Sequence, residues 1–247
     1  MSPQQHIINH LFEFFEFISK KSSATHHTEK GFKEISHTNS SWPNFIYNID
    51  LRQITTSDLA KKIFSKQLPH HLILTAEQVN EHENELTTNG FIPIAEWSCL
   101  ELDKENLKPR VNQQFNIKKI TTKEDLKDWT KVASTGFGTL ENSIFENCFN
   151  NKAVEFYGGH TNSKLVATAL LFHHNNTTGI YHVVTLPEER GKGFGSELFT
   201  FCEHKALKNG ADRVIAQSTT EGLNAWLKTG MKLYGNFYLF CLNKPKS

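Results

Sequence analysis

The stretch TLPEERGKGFG, residues 185–195, sets Gly191, Gly193 and Gly195 at alternate positions directly after a proline, two glutamates and Arg190. Glycine loses more conformational freedom on folding than any other residue, so three in five positions require a cause. A β-branched run ends at Thr185, and residues 196–209 follow with Leu198, Phe201, Cys202 and Ala206 on one helical face before Gly210. A strand, glycine turn and helix in this order present unpaired N–H groups and the positive end of a helix dipole to the turn. Positions without side chains let a phosphate reach that backbone. Two phosphate loops are excluded: a dinucleotide fingerprint needs glycine where Ser196 stands, and a P-loop needs a Gly-Lys-Ser/Thr ending that is absent. The alternative is a turn with a purely structural role.

The neighbouring segments read as a mixed α/β domain. FNIKKI is a strand, and Thr121 with Glu124 has capping-box spacing ahead of a helix that aligns Leu126, Trp129 and Ala133. A second helix is predicted over 140–149, then strands AVEFYGG, KLVATALLF and IYHVVT. Beyond the glycine turn come strand RVIAQS, a helix over 221–229 and a last strand, KLYGNFYLFCL. Upstream, Ile7, Ile8, Leu11, Phe15 and Ile18 mark an amphipathic helix, followed by a polar stretch, 22–41, with a short strand near Phe32. A strand over 44–51, a helix capped at Thr56 or Ser57, strand HLILT, a helix over 76–88 and a strand over 91–102 complete this half. The polar run 103–114 reads as a linker, giving domains 1–110 and 111–247. Both halves end alike, in LTTNGFIPIAEWSCL and LKTGMKLYGNFYLFCL, which suggests a duplicated fold whose first copy has lost the glycine turn.

The bulk properties restrict function. Of 247 residues, 38% are hydrophobic and 21% charged, the balance of a globular protein. A net charge of +1 gives no electrostatic footprint for nucleic acid. The amphipathic N-terminal helix lacks the basic face of a membrane-surface helix, and its Glu13 and Glu16 with no cleavage site exclude a signal peptide. Cys99, Cys148, Cys202 and Cys241 are widely spaced among apolar residues, as free thiols in a reducing, cytoplasmic setting would be. No metal is expected: in the pairs His26-His27, His70-His71 and His173-His174 adjacent side chains diverge, and HENEL at His82 lacks a second histidine.

Arg190-x-x-Gly193-x-Gly195 after VVTLPEE resembles the acetyl-coenzyme-A loop of the GNAT N-acetyltransferase superfamily. The resemblance covers roughly 115–242, in the family's element order, and an N-terminal portion resembling a degenerate second GNAT fold occurs in part of the family. It implies a GNAT fold, two tandem GNAT-like domains, acetyl-CoA as co-substrate and a small-molecule or peptide amine as acceptor. Gly191, Lys192, Gly193, Phe194, Gly195 and Ser196 would then cradle the pyrophosphate, with Arg190 shaping the loop. The strand at Val183, Val184 and Thr185 would pair with the pantetheine arm, and an N–H of Val184 or Thr185 would face the thioester carbonyl.

The chain also departs from that pattern. Where the family usually places an acidic tyrosine, this chain has Trp226, whose indole is a donor without useful acidity. Thr219 stands where an asparagine is often found. His182, mid-strand beside the expected reaction centre, offers a base of near-neutral pKa, and Tyr181, on the opposite face of the strand, an acid; packing is the alternative for both. Glu155, Tyr157 and Tyr234 also lie on strands. The expected activity is direct acetyl transfer to a primary amine. The alternative is a weak or inactive acyl-CoA-binding, regulatory module.

Overall fold

The computed structural model describes residues 1–109 and 115–243, so the expected boundary at 110 and 111 lies outside the described residues. The first half contains α1 (Pro3–Lys21), β1 (Thr25–Glu29), β2 (Phe32–Ser36), β3 (Phe45–Tyr47), α2 (Thr56–Phe64), β4 (His71–Thr75), α3 (Ala76–Thr88) and β5 (Phe91–Leu102). The second contains β6 (Asn116–Lys119), α4 (Lys123–Phe137), α5 (Ser143–Glu146), β7 (Val154–Thr161), β8 (Lys164–His174) and β9 (Thr177–Thr185). It continues through α6 (Phe194–Lys208), β10 (Arg213–Thr219), α7 (Thr220–Leu227) and β11 (Met231–Leu242). The strands form a single mixed sheet in the order β1-β2-β3-β4-β11-β5-β10-β9-β8-β7-β6.

That order contains an internal repeat. In each half a helix precedes a hairpin and a third strand, which runs parallel to a fourth after a helical crossover: β3 with β4, and β9 with β10. Each half then ends in a helix and a long strand. Those last strands are exchanged: β11 lies against β4, and β5 against β10. The two also pair with each other, antiparallel, from Phe91↔Leu242 to Met231↔Leu102. The similar endings of the two halves are therefore partners at the centre of the sheet.

Helices cover both faces. On one, the apolar stripe of α1, including the fully buried Ile7, Phe14, Phe15 and Ile18, packs with Trp129 of α4, Phe145 of α5 and Phe237 of β11. Each buried phenylalanine contributes about 1.5–3 kcal/mol relative to exposure. On the other face, Leu198, Cys202 and Ala206 of α6 cover the second half, while Leu59 and Ile63 of α2 cover the first.

Several expectations shift. β1 escapes sequence reading because THHTE is polar and largely exposed, and pairing with β2 rather than apolar alternation sustains it. The strand predicted over 44–51 closes at Tyr47, because Asn48 turns into positive φ, +50°. The helix predicted over 140–149 contracts to Ser143–Glu146. Caps move by one residue: Thr122 and not Thr121 accepts from the Asp125 N–H, and Thr55 accepts from that of Asp58.

The exchange has a measurable consequence. A fragment spanning 111–247 loses β5, which separates β10 from β11, and is expected to be insoluble or to lack cooperative melting by circular dichroism. Coexpression with 1–110 should restore a soluble, cooperatively melting complex. Cooperative folding of the fragment alone would contradict the exchanged pairing.

Candidate active site

The glycine turn is built by backbone conformation. Gly191 and Gly193 sit at φ +77° and +81°, where other residues are strained. A Cβ on either would meet nothing within 4 Å, so the turn's surface is open. Gly193 is the N-cap of α6 and supplies no side-chain hydrogen bond, leaving the first amides of the helix facing outward. At Gly195 an added Cβ would lie 3.3 Å from Thr185 Oγ1, so a side chain there would crowd the end of β9. Arg190 Nε donates to the Thr185 carbonyl at 3.2 Å, closing the turn, and Lys192 pairs with Glu189 at 2.8 Å. Phe194 stacks on Phe115 at 4.6 Å and fixes the start of α6, with Ser196 in its first turn.

Beside this turn the sheet opens. Parallel pairing of β9 with β10 runs from Thr177↔Arg213 to Ile180↔Ala216 and stops there, although both strands continue. At the same place β9 carries a bulge: Val184 pairs with Thr168, but Tyr181 pairs with Leu170, leaving one extra residue on β9. His182 takes φ +49° in the bulge, and its carbonyl accepts from Thr168 Oγ1 at 3.0 Å. The bulge corrects the expected orientation. Tyr181 and His182 do not alternate; both rings contact Phe14 on the α1 face. The Leu186 N–H donates to the Val166 carbonyl, so strand alternation turns the Thr185 N–H toward the gap and that of Val184 toward β8.

A cavity of about 350 Å³ occupies the gap. On the α6 side it is walled by Phe199, Gly222 and Trp226, with Thr219 at the N-cap of α7. Trp226 is buried and stacked flat on Phe199, ring centroids 3.8 Å apart. The opposite side is walled by Tyr181 and His182 and by first-half residues, among them Trp42, Phe45 and Trp97. Sequence reading missed these, although a tryptophan before a proline in an otherwise polar segment was a signal. The loop bearing Trp42 is tied across the halves: the Ser41 N–H and Oγ both donate to the Thr139 carbonyl, at 2.8 and 2.7 Å. A larger, more open depression of about 570 Å³ lies between the β1–β2 hairpin and α3, away from the glycine turn.

The cavity walls are electrically quiet. His182 stands among aromatic rings, with Trp42 edge-on at 4.4 Å, and burial pushes its pKa down to about 3. It is therefore neutral at pH 7 and a far weaker base than free imidazole. Burial raises the Tyr181 phenol well above its usual value. Its hydroxyl is engaged with His10 Nδ1 at 2.8 Å, and burial takes His10 to about 3 as well. Glu155 and Tyr157 bond to each other at 2.7 Å and Tyr234 is exposed; none of the three lines the cavity. Among the described residues no cluster of three or more His, Cys, Asp or Glu is placed to hold a metal, and the four cysteines form no disulfide. No helix among them is long and apolar enough to cross a membrane.

These histidines set an acid limit. Both favour the neutral form when folded and regain a pKa near 6.5 when unfolded, so only the unfolded state gains protons as pH falls below 6.5. Stability is thus unaffected above that value and is lost on acidification, by about 1 kcal/mol per histidine between pH 7 and 5.5. Chemical denaturation at the two pH values should show this loss, and His182→Phe should reduce it.

A strand, an open glycine turn at a helix start and a gap between parallel strands thus lie side by side in the second half of the chain. Residues 122–230 match the model of the acetyltransferase (GNAT) family. No curated protein matches the chain. Among solved structures, a GCN5-related N-acetyltransferase from Kribbella flavida superposes with a TM-score of 0.74 at 13% identity, covering 99% of this chain and 97% of its own. A GCN5-related N-acetyltransferase from Sphaerobacter thermophilus gives 0.64 at 10% identity, covering 87% and 81%. A tandem GNAT protein from the clavulanic acid biosynthesis pathway gives 0.57 at 11% identity, covering 88% and 80%. At these identities the likeness is one of fold: a mixed α/β GNAT architecture extending over nearly the whole chain.

Proposed function

We propose that the protein transfers the acetyl group of acetyl-CoA to a primary amine by direct attack. The observation that carries this reading is the alignment of the open glycine turn, the bulged edge of β9 and the cavity between β9 and β10. Acetyl-CoA supplies the activated thioester. The residues present fit it: the turn is open around Gly191 and Gly193, and the first amides of α6 have no side-chain cap, as a pyrophosphate requires. The unpaired edge of β9 beyond Ile180 offers main-chain hydrogen bonds to an extended amide-bearing arm. The Thr185 N–H is turned to meet the carbonyl oxygen as it gains charge, a contribution of about 10²–10³ in rate where single donors have been removed. The coenzyme's thiolate, with a pKa of about 8.5 like that of cysteine, leaves without full protonation. The acceptor's proton passes to water through the mouth of the cavity.

The second reading is an acyl-CoA-binding module with little turnover, favoured by Trp226 at the usual tyrosine position and by the Tyr181 hydroxyl being held by His10. Calorimetry with acetyl-CoA, followed by a thiol-release assay over an amine panel, tests both. One coenzyme per chain is expected. In the first half the segment between β3 and α2 has no glycine, and the Thr55 side chain already caps α2. Thiol release supports the transferase; binding alone supports the module; two sites per chain would refute the assignment to one loop.

A further inference from the structure

We infer that the acceptor is a small primary amine carried on an apolar, aromatic body, without a carboxylate, a phosphate or a second cationic group. The inference rests on the transferase reading and concerns the side of the cavity opposite Trp226. There the walls are Trp42, Phe45, Trp97, Phe137, Tyr181 and Leu239. Among the described residues no Asp, Glu, Lys or Arg lines the cavity. A second ammonium would find no carboxylate and an acidic acceptor no guanidinium, and a charge brought into such walls is strongly disfavoured unless paired. Polar groups are present but neutral. Ser218 and Gln217 stand at the end of β10 beside the gap, where they can orient one amine by hydrogen bonds.

Size and chemistry agree. At about 350 Å³ the cavity is near the lower end of the roughly 300–1,000 Å³ that small-molecule sites occupy, and the thioester shares it. Trp42 and Phe137 stand edge-on to the His182 ring, at 4.4 and 5.6 Å, and all three line the cavity, an aromatic wall against which a flat ring can pack. The same surroundings account for the missing base. Walls that hold His182 neutral by desolvation act in the same direction on a bound ammonium, favouring the free amine that attacks. An amine on an apolar body gains from entering as a free base; a polyamine does not.

The test uses the full chain with saturating acetyl-CoA and compares phenethylamine, spermidine and glycine by thiol release and product mass. Phenethylamine is expected to exceed both others in kcat/KM by about 10–100-fold, the scale of discrimination by pocket contacts. Phe137 is 43% exposed, so Phe137→Glu should fold, lose about ten-fold toward phenethylamine and gain toward spermidine. Preference of the wild type for spermidine or glycine overturns the inference and leaves the transferase reading intact. If acetyl-CoA binds but no amine is acetylated, the transferase reading fails. Calorimetry of the CoA-loaded protein then decides on the site: tighter binding of phenethylamine than of spermidine supports its chemistry, and equal or weaker binding overturns it.

Discussion

Replacing Gly193 by Asp is expected to weaken acetyl-CoA binding by at least about 100-fold while leaving the fold intact. Two costs combine. The residue sits at φ +81°, where a side chain costs roughly 1–2 kcal/mol; the exposed turn can relax from that strain when free and must take it up again to bind. The added carboxylate also faces the place where the helix amides would receive a pyrophosphate, replacing attraction by repulsion. A total near 3 kcal/mol corresponds to ~100-fold at 1.4 kcal/mol per decade. Gly193→Ala separates the two costs, because nothing lies within 4 Å of its Cβ and only strain remains. Since Gly193 is exposed, the melting temperature should change by no more than a few degrees. Unchanged affinity in a folded Asp variant would mean that the coenzyme does not use this turn.

The turn was legible because its chemistry is local. Glycines at positive φ, a strand before them and a helix after them follow one another directly in the chain between Thr177 and Lys208, and each leaves its mark on residue type. For the same reason α3 and β5 have the ends expected of them: Asn89 and Gly90 stop the helix, and the apolar run begins at Phe91. What escaped was non-local. The exchange of β5 and β11 depends on which half each strand completes, and both would have the same periodicity in either arrangement. The bulge at His182 has no residue signature, yet it puts two neighbouring side chains on one face. Trp42 lines the cavity from a loop tied to the second half by hydrogen bonds between residues 41 and 139, nearly a hundred positions apart. His10, which is not among the apolar residues that mark α1 in the sequence, is buried against Tyr181. The glycine turn is thus written in sequence, while the opposite wall of the cavity is assembled from both halves.

Trp226 walls the cavity on the α6 side, and its replacement is expected to separate packing from proton transfer. The ring is 4% exposed and stacked on Phe199 at 7° between planes, so it supports α7 against α6 as well as walling the cavity. Truncation to Ala removes that stack; large aromatic truncations in cores cost about 3–5 kcal/mol, and the bordering cavity places this one near the lower figure. A loss of ~3 kcal/mol lowers the melting temperature by roughly 6–12 °C in a chain of this size. Coenzyme affinity should fall as well, because the wall beside the thioester retracts. Trp226→Tyr retains an aromatic face on Phe199 and adds a phenol, with Trp226→Phe as the control that adds none. A general acid is worth about 10²–10⁴ when its step is limiting. Here the leaving thiolate has a pKa of about 8.5 and departs with little help. The tyrosine variant should therefore match the wild type or exceed it by up to about ten-fold, with a new alkaline limb in its pH–rate profile that the phenylalanine variant lacks. The opposite result is also informative. If turnover falls by more than about ten-fold in both variants while melting temperature and coenzyme affinity hold, the indole itself contributes to the reaction, and the neutral wall assigned to Trp226 is wrong.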